Sequence, residues 1–397
     1  MNDEIAINSD VLKHVMSASG YDSTELAKKI NVSKEDVDGW LAGSKKPTIT
    51  KLKDISRATK YNLAVLLLEE VPQSLPKPKD YRTANKAHVF SRKTLLAIRK
   101  ARDIQSLYKE LGGQSEEHKI GLNKYALSHS PESAADKEIG LLSIKVSNTS
   151  GEAGARELLK KYVKVLEQND ILVLQLQMPI EDCRGFSIKD KSPYIIAISS
   201  SDQVYPCLFT LFHEYAHLLL QSEGGSMCIP EEDKLSVNDG ELGRVETWCN
   251  KFAASFLLPE SKIRESGEVS RLAALIKTSS SNHEIYNAIK SLSGRYRVSY
   301  LAFIIRLKGL NLIPEAKYNT IRQEYNSYSK REEAAKKAKA KKGGAPKPEY
   351  RVVSRNGEKF STLVVRSLKA GKIDYYDAVE YLGTNLKNID KLAAKLG

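Results

Sequence analysis

Apolar residues recur every three or four positions through residues 11–70, the spacing that places side chains on one face of a helix. The pattern predicts five short helices. Asp22 and Glu25 form a capping box at the start of the second helix, where each side chain can bond the other's backbone N–H. We therefore predict an all-α domain over residues 1–72, with a core made of Leu26, Ile30, Val32, Val37, Trp40, Leu41, Leu52, Ile55 and Leu66.

The middle of the chain mixes strand and helix patterns. Runs rich in apolar and β-branched residues predict strands near Ile171–Met178 and Tyr194–Ser199. A stretch that is apolar nearly all round, from Pro206 to Leu220, predicts a buried helix. A second helix is predicted over Val245–Leu258, directly before a proline. These elements predict an α+β domain over residues 140–315, with a small sheet against the two helices.

Two further regions are predicted to be basic and helical. Residues 73–139 start with a Pro-rich linker and continue into a helix from near Ser91 to Gly112. Residues 316–397 contain a lysine-rich run and then two short helices, Thr362–Ala370 and Tyr375–Leu382. The expected fold class is therefore multidomain: the all-α domain, the α+β domain, and a helical C-terminal tail that could be a docking element or a lid.

Composition narrows the cellular setting. The chain has 397 residues, of which 41% are hydrophobic and 28% charged, enough to bury cores in two to four domains. Its acidic start argues against a secretory signal, and its longest apolar runs are far too short to span a bilayer. The 4 cysteines form no CxxC pair and indicate no disulfide framework. We expect a cytoplasmic protein without a membrane partner.

The net charge of +13 is unevenly distributed. Residues 1–70 hold slightly more acidic than basic residues, whereas residues 71–112 and 330–372 are strongly basic. Charge runs of this kind usually form solvated helix faces. They could also supply phosphate contacts to a neighbouring nucleic-acid-binding domain. The second basic block includes Lys336, Lys337, Lys339, Lys341 and Lys342.

The strongest chemical signal is the HExxH motif formed by His213, Glu214 and His217. Residues four apart lie on the same face of a helix, so the two imidazoles converge on one point. A zinc ion suits that point because it prefers nitrogen and sulfur ligands, and the glutamate can act as a base toward a bound water. The alternative is a buried helix whose two histidines are hydrogen-bonded core residues.

A third ligand is needed, since catalytic zinc sites usually use three protein groups and leave one position to water. The metzincin pattern fails, because Leu220 and Glu223 stand where its glycine and third histidine would be. Glu246 is the better candidate. It shares the inward face of the second helix with Asn250, where a carboxylate requires a charged partner. The competing interpretation is a salt bridge from Glu246 to Arg244 or another base.

These residues resemble the ImmA/IrrE family of metallopeptidases. The family signature FTLxHExxH corresponds to Phe209 through His217, and its ExxxNxFAAxxLLP element to Glu246 through Pro259. The resemblance implies zinc on His213, His217 and Glu246, with Glu214 as general base. It extends to Gly185–Ile188 and to Tyr194–Ile198, which looks like the substrate-side strand of zincins. The chain departs from many relatives at Leu208 and Gln221, where they carry arginine and histidine.

The resemblance also implies a reaction and a substrate. Relatives are associated with cleaving helix-turn-helix repressors, so a protein of that kind is the expected substrate. A tyrosine or histidine usually stabilises the oxyanion in such sites, and Tyr205, Tyr215 and His283 are unranked candidates. The expected function is a zinc endopeptidase fused to a regulatory module. The alternative is a DNA-binding repressor or antitoxin whose peptidase-like domain is latent.

Residues 11–70 resemble the XRE, or lambda-repressor-like, helix-turn-helix domain. The resemblance implies that the helix from Ser33 to Leu41 enters the major groove. Contacts to the DNA backbone are expected from Ser33, Lys34, Lys45 and Lys46, although Glu35, Asp36 and Asp38 on the same helix would repel phosphates. A role in homodimer formation or partner docking remains the alternative, since a fold does not determine its function.

Overall fold

The structure is a computed structural model. It describes residues 4–72, 90–113, 124–142, 151–190, 192–220, 226–228, 241–279, 281–325, 328 and 347–396. The predicted Pro-rich linker after Pro72 lies outside these residues, as does the lysine run 336–342.

Residues 4–72 contain the five helices that the periodicity predicts. The capping box of the second helix is complete, with Asp22 accepting from the Glu25 backbone N–H at 2.7 Å and Glu25 accepting in return. Asn31 ends that helix in the left-handed region, with a φ of 56°. Every residue predicted for this core is buried or packs against it. The helices are α1 (Ser9–Ala18), α2 (Ser23–Ile30), α3 (Lys34–Leu41), α4 (Ile49–Thr59) and α5 (Leu63–Leu66).

A four-stranded sheet lies at the centre of the molecule, in the order β1-β3-β2-β4. Its strands are β1 (Ile171–Leu176), β2 (Gly185–Ile188), β3 (Tyr194–Ser199) and β4 (Ser226–Cys228). β1 and β3 are parallel, whereas β2 is antiparallel to both β3 and β4. β1 is two residues shorter than predicted.

The expectation that β3 is a substrate-side strand is wrong. β3 pairs with β1 on one side and with β2 on the other, so its backbone hydrogen-bonding groups are used within the sheet. A strand that receives a peptide must offer a free edge. Within the described residues, the sheet ends at β1 and β4 instead.

Alternate residues of the strands face two different helical layers. Ile171, Val173 and Ile196 face a first core that contains the predicted metal-binding helices. That layer consists of α7 (Pro131–Leu141), α8 (Gly151–Gln168), α9 (Val204–Leu219) and α10 (Glu241–Leu257). Leu172 and Ile195 face a second core, formed with α6 (Arg92–Glu110), α16 (Pro348–Asn356), α17 (Glu358–Lys369), α18 (Tyr375–Leu382) and α19 (Leu386–Leu396).

The helices expected as a C-terminal tail within residues 316–397 pack into the sheet's second core. Phe360, Val364 and Leu382 are fully buried there, beside strand residues and the apolar side of α6. The predicted helix Thr362–Ala370 starts four residues earlier, at Glu358, because Gly357 provides the turn with a φ of +81°.

A third group of helices packs around its own core after α10. It comprises α11 (Glu260–Arg264), α12 (Gly267–Thr278), α13 (Asn282–Tyr296), α14 (Tyr300–Gly309) and a helix over residues 315–325, α15. Leu257, at the end of α10, packs against both this core and the first one. Among the described residues, no helix combines the length and apolar character needed to cross a membrane.

The basic helix α6 connects the N-terminal helices to the sheet. The Arg92 guanidinium forms an ion pair with Glu25 at 3.1 Å. Arg99 donates to the carbonyl oxygens of Thr59 at 3.0 Å and Lys60 at 2.7 Å. Two of the charges that the sequence offers for phosphate contacts thus hold the N-terminal helices against α6.

Candidate metal centre

Helix α9 places its polar residues in an otherwise apolar environment. Leu208, Leu211 and Phe212 are completely buried and fix the helix against the sheet and α8. His213 and His217 are 1% and 2% exposed, so their positions are set by the surrounding core. Buried polar groups are costly without partners, and each imidazole has one.

Helix α10 brings Glu246 to the two imidazoles. The Nε2 atoms of His213 and His217 are 3.1 Å apart. Oxygen atoms of the Glu246 carboxylate lie 3.3 Å from His213 Nε2 and 3.2 Å from His217 Nε2. Two ligands bound at about 2.0–2.1 Å to a tetrahedral zinc are about 3.3 Å apart. The two imidazole nitrogens and the carboxylate therefore lie at spacings compatible with the ligands of one metal ion.

This arrangement is compatible with a metal site formed by residues from both helices. His213, His217 and Glu246 form a metal-compatible group whose ligand atoms lie within 4.8 Å of one another. The carboxylate of Glu246 faces the imidazoles, whereas Arg244 is exposed. The Glu246 side chain is 20% exposed, whereas the two imidazoles are almost completely buried.

The electrostatics favour the protonation states that bind a cation. Burial lowers the pKa of His217, more than its contact with Glu246 raises it, so the imidazole stays neutral. Burial alone would raise the pKa of Glu246, but its contacts with His217 and His213 hold that pKa well below its usual value. An ionised carboxylate is the form of Glu246 that binds a cation.

Asn250 orients the first imidazole, a role that the sequence analysis did not assign. Its side-chain oxygen lies 2.9 Å from Nδ1 of His213. A hydrogen bond from Nδ1–H to this oxygen leaves the Nε2 lone pair directed at the metal position. The signal was present in the sequence, since Asn250 follows Glu246 by one helical turn on the same face.

Lys189, which follows β2, was also missed. Its ammonium donates to the backbone carbonyls of Leu220 at 2.8 Å and His217 at 3.3 Å. These carbonyls are at the C-terminal end of α9, where a helix has unpaired acceptors and a partial negative charge. Lys189 therefore holds the C-terminal end of α9 against the sheet.

Gly185 lets α9 approach β2 closely. A Cβ at this position would lie 2.4 Å from Thr210 Cγ2 and 2.9 Å from the Ala197 carbonyl oxygen. It would also lie 3.4 Å from Cγ of Glu214, which is fully buried. The glycine thus sets how near the predicted general base can lie to the sheet.

The oxyanion candidates lie in three different environments. The Tyr215 hydroxyl donates to Glu138 at 2.6 Å, and burial raises its pKa. Tyr205 is half-buried with its hydroxyl next to Gly294, and burial raises its pKa as well. His283 is exposed near the start of α13, where its ring contacts Asn287.

The predicted DNA-contacting residues lie around α3. Ser33 caps the helix by accepting from the Asp36 backbone N–H at 3.1 Å. The Lys45 ammonium pairs with the Asp36 carboxylate at 2.6 Å, so part of its charge is neutralised on α3 itself. Lys34 and Lys46 are exposed.

Comparison with known families agrees with the position of this centre. A family model described as peptidase M78, IrrE N-terminal-like domain, matches residues 166–308, about a third of the chain. The match includes the whole sheet, α9, α10 and the three clustered residues, and it indicates a metallopeptidase-like domain. No curated protein matches the chain.

Proposed function

We propose that this chain is a zinc-dependent endopeptidase that cleaves a helix-turn-helix repressor or a related regulator. The observation that carries the proposal is the convergence of His213, His217 and Glu246: the two Nε2 atoms are 3.1 Å apart, and each lies 3.2 to 3.3 Å from an oxygen of the Glu246 carboxylate. The metallopeptidase-like match over residues 166–308 supports the same reaction class.

The residues fit zinc by their chemistry as well as by their spacing. Two imidazole nitrogens and one carboxylate oxygen form a donor set used by zinc peptidases, with the fourth position left for water and substrate. When bound, zinc would polarise the scissile carbonyl and lower the pKa of the attacking water toward about 7. His213, His217 and Glu246 would hold it, and Asn250 would keep His213 in the tautomer that binds.

Glu214 carries the proton transfers in this proposal. It follows the first histidine directly, so on α9 its carboxylate projects beside the ligand face. The carboxylate accepts a proton from the attacking water and later delivers it to the nitrogen of the leaving amine. Its complete burial limits competing solvent and strengthens its interaction with charge at the reacting centre.

The N-terminal helices would form the regulatory part of the protein. An XRE-type module supports either DNA binding, through Ser33, Lys34, Lys45 and Lys46, or docking of a protein partner, including a second copy of the chain. The Asp36–Lys45 pair favours the protein partner, because it neutralises one of the three lysines expected to contact phosphates. A DNA-binding repressor with a latent peptidase domain is supported less well, since His213, His217 and Glu246 lie close enough together to hold a metal ion.

The proposal is tested by incubating the zinc-loaded protein with helix-turn-helix repressors encoded next to its own gene. Cleavage is followed by gel electrophoresis and mass spectrometry. Glu214→Gln should lower the cleavage rate by about 10²- to 10⁴-fold, the range for loss of general acid–base catalysis. The variant should retain zinc, because Glu214 is not a ligand in this proposal.

Two results would contradict the proposed activity. One is a wild-type protein with a full zinc content that cleaves no faster than Glu214→Gln. The other is a purified wild-type protein that takes up no zinc. Cleavage that persists after removal of the metal by a chelator would assign the activity to a contaminating protease.

A further inference from the structure

Each of the two ligand-bearing helices carries an aromatic residue midway between its two functional side chains. On α9, Tyr215 stands between His213 and His217; on α10, Trp248 stands between Glu246 and Asn250. A residue two positions along a helix is rotated by about 200°. Tyr215 and Trp248 therefore project from the backs of their helices, directly opposite the metal-binding faces.

Behind α9, Tyr215 meets a buried carboxylate. Its hydroxyl donates to Oε2 of Glu138 at 2.6 Å, and the hydroxyl of Tyr125 donates to Oε1 of the same residue at 2.9 Å. Glu138 lies on α7 and is 2% exposed, and Tyr215 is 3% exposed. One carboxylate thus fixes two tyrosine hydroxyls in a region from which water is excluded.

Behind α10, Trp248 meets the same part of the chain. Its Nε1–H donates to the His129 carbonyl oxygen at 2.8 Å, and its ring lies 6.1 Å from that of Tyr125. The backbone N–H of Tyr125 in turn donates to the Leu219 carbonyl oxygen at 2.9 Å, at the end of α9. Residues 124–142 therefore contact the backs of both helices.

We propose that Tyr125, Glu138, Tyr215 and Trp248 form a rear brace that sets the rotation and spacing of the two metal-binding helices. Tyr125 and Glu138 are positioning residues in this arrangement, since they act through α9 and α10 and do not touch the metal position. The inference rests on the proposed function and adds to it the device that brings ligands from two helices together.

The ligand side chains must be positioned accurately, which explains why polar contacts would hold the two helices. A side chain ends about 5–6 Å from its helix axis, so a rotation of about 10° moves it by about 1 Å. Metal ligands tolerate deviations of only about 0.2 Å. Apolar packing alone is less directional, whereas a hydroxyl bound to a fixed carboxylate holds its helix in one rotation.

The brace is tested with Tyr215→Phe and Tyr125→Phe, which remove one hydroxyl each and keep the ring. Zinc affinity is measured by competition with a chromogenic chelator, and ligand geometry by the visible absorption of the cobalt-substituted protein. We expect each variant to bind zinc about tenfold more weakly, the lower end of the range for residues that orient metal ligands. The cobalt spectrum should change in intensity or position.

Ser361→Ala is the matched control. Its hydroxyl is fully buried and donates one hydrogen bond, to Gly357, on the opposite side of the sheet. The control should lower the melting temperature of the metal-free protein, as the tyrosine variants do, and leave zinc affinity and the cobalt spectrum as in the wild type. This difference separates a positioning role from a general loss of stability.

The brace is refuted if the folded tyrosine variants bind zinc like the wild type with an unchanged cobalt spectrum. It is also refuted if Ser361→Ala weakens zinc binding as much as they do. If one tyrosine variant does not fold, Glu138→Gln, which keeps the size of the side chain, takes its place. These measurements do not involve cleavage, so a failure of the brace is distinguishable from loss of the peptidase activity proposed above.

Discussion

Two regions of the molecule carry a functional prediction: the candidate metal centre on α9 and α10, and the surface around α3. The charged residues of these two regions are arranged differently. At the metal centre, the Glu246 carboxylate and two imidazoles converge on one point. On α3, Asp36 pairs with Lys45, a residue predicted to contact DNA. The candidate metal centre brings three side chains to one position, whereas around α3 an aspartate neutralises a lysine that was predicted to contact DNA.

Burial explains the difference. His213 and His217 are almost completely inaccessible, so their polar atoms require partners in the protein and occupy one arrangement. The side chains of Asp36 and Lys45 are 38% and 51% exposed, and water can satisfy both. Packing therefore allows the buried imidazoles one arrangement. The exposed Asp36–Lys45 pair is only one of several arrangements that these two solvated side chains can adopt.

Glu167, at the end of α8, is another buried carboxylate, and its charged form is disfavoured by burial. It accepts the backbone N–H groups of Glu358 at 3.1 Å and Lys359 at 3.0 Å, at the start of α17. Burial raises its pKa from 4.5 to about 7. Because the pKa is higher in the folded state, the stabilising contribution is present at low pH and is lost as the pH rises toward 7.

We expect this group to lower the free energy of unfolding by about 3 kcal/mol between pH 4 and pH 7.5, at about 1.36 kcal/mol for each pKa unit. Glu167→Gln cannot ionise and should flatten the pH dependence of the metal-free protein. Urea unfolding of both proteins across this pH range measures the effect. Parallel curves for the two proteins would show that burial of Glu167 has no such consequence.

At the metal centre, Asn250→Ala tests whether the buried arrangement depends on residues that do not touch the metal. Loss of its contact to His213 Nδ1 should weaken zinc binding about 10- to 100-fold, the range for residues that orient metal ligands. Chelator competition measures the affinity. Asn287→Ala, in an exposed contact with His283, is the control and should bind zinc like the wild type. Equal zinc affinity in both variants would contradict an orienting role for Asn250.

Gly185→Ala tests how closely the buried region is packed. The added methyl group would overlap Thr210 and the Ala197 carbonyl, so α9 must move away from β2. We expect a loss of about 1–2 kcal/mol in the free energy of unfolding, within the range for overpacked cores. Gly309→Ala, where an added Cβ meets nothing within 4 Å, should be neutral or slightly stabilising. A Gly185→Ala protein as stable as the wild type would indicate that α9 can shift without cost.

On α3 the expected effect is the smallest. Asp36→Asn removes the partner of Lys45 and should increase affinity for duplex DNA about three- to fivefold, with a steeper dependence on salt. Fluorescence anisotropy at two salt concentrations measures both quantities. Asp38→Asn is the control, since it changes the net charge equally and leaves the Asp36–Lys45 pair intact. If the two variants behave alike, the ion pair does not limit DNA binding.

Much of the candidate site was predictable because its signals are local. The spacing of His213 and His217 needs only a helix to bring the imidazoles together, and the apolar pattern around them predicts that helix. Glu246 was also predictable, since a carboxylate on the inward face of a helix needs a charged partner. The helix boundaries and the capping box at Asp22 followed from equally local patterns.

Three further features depended on contacts between distant parts of the chain. The role assigned to β3 required the strand order, which the sequence pattern does not contain. The position of the C-terminal helices depended on which face of the sheet they share with α6, and the sequence pattern does not contain this. Tyr215 was one of three unranked oxyanion candidates, and its hydroxyl donates to Glu138, 77 positions away in the sequence.

By itself, the sequence determined the N-terminal helices, the two ligand-bearing helices, strands β1 and β3, and three side chains whose chemistry suits a metal ion, because these depend on side-chain periodicity and ligand chemistry. The tertiary structure decided the strand order, the packing of the C-terminal helices, and the partners of Tyr215, Asn250 and Lys45. The physical reason is that hydrogen bonds and ion pairs act over only a few ångströms. Which groups come that close is set by the packing of whole elements, and no local pattern records it.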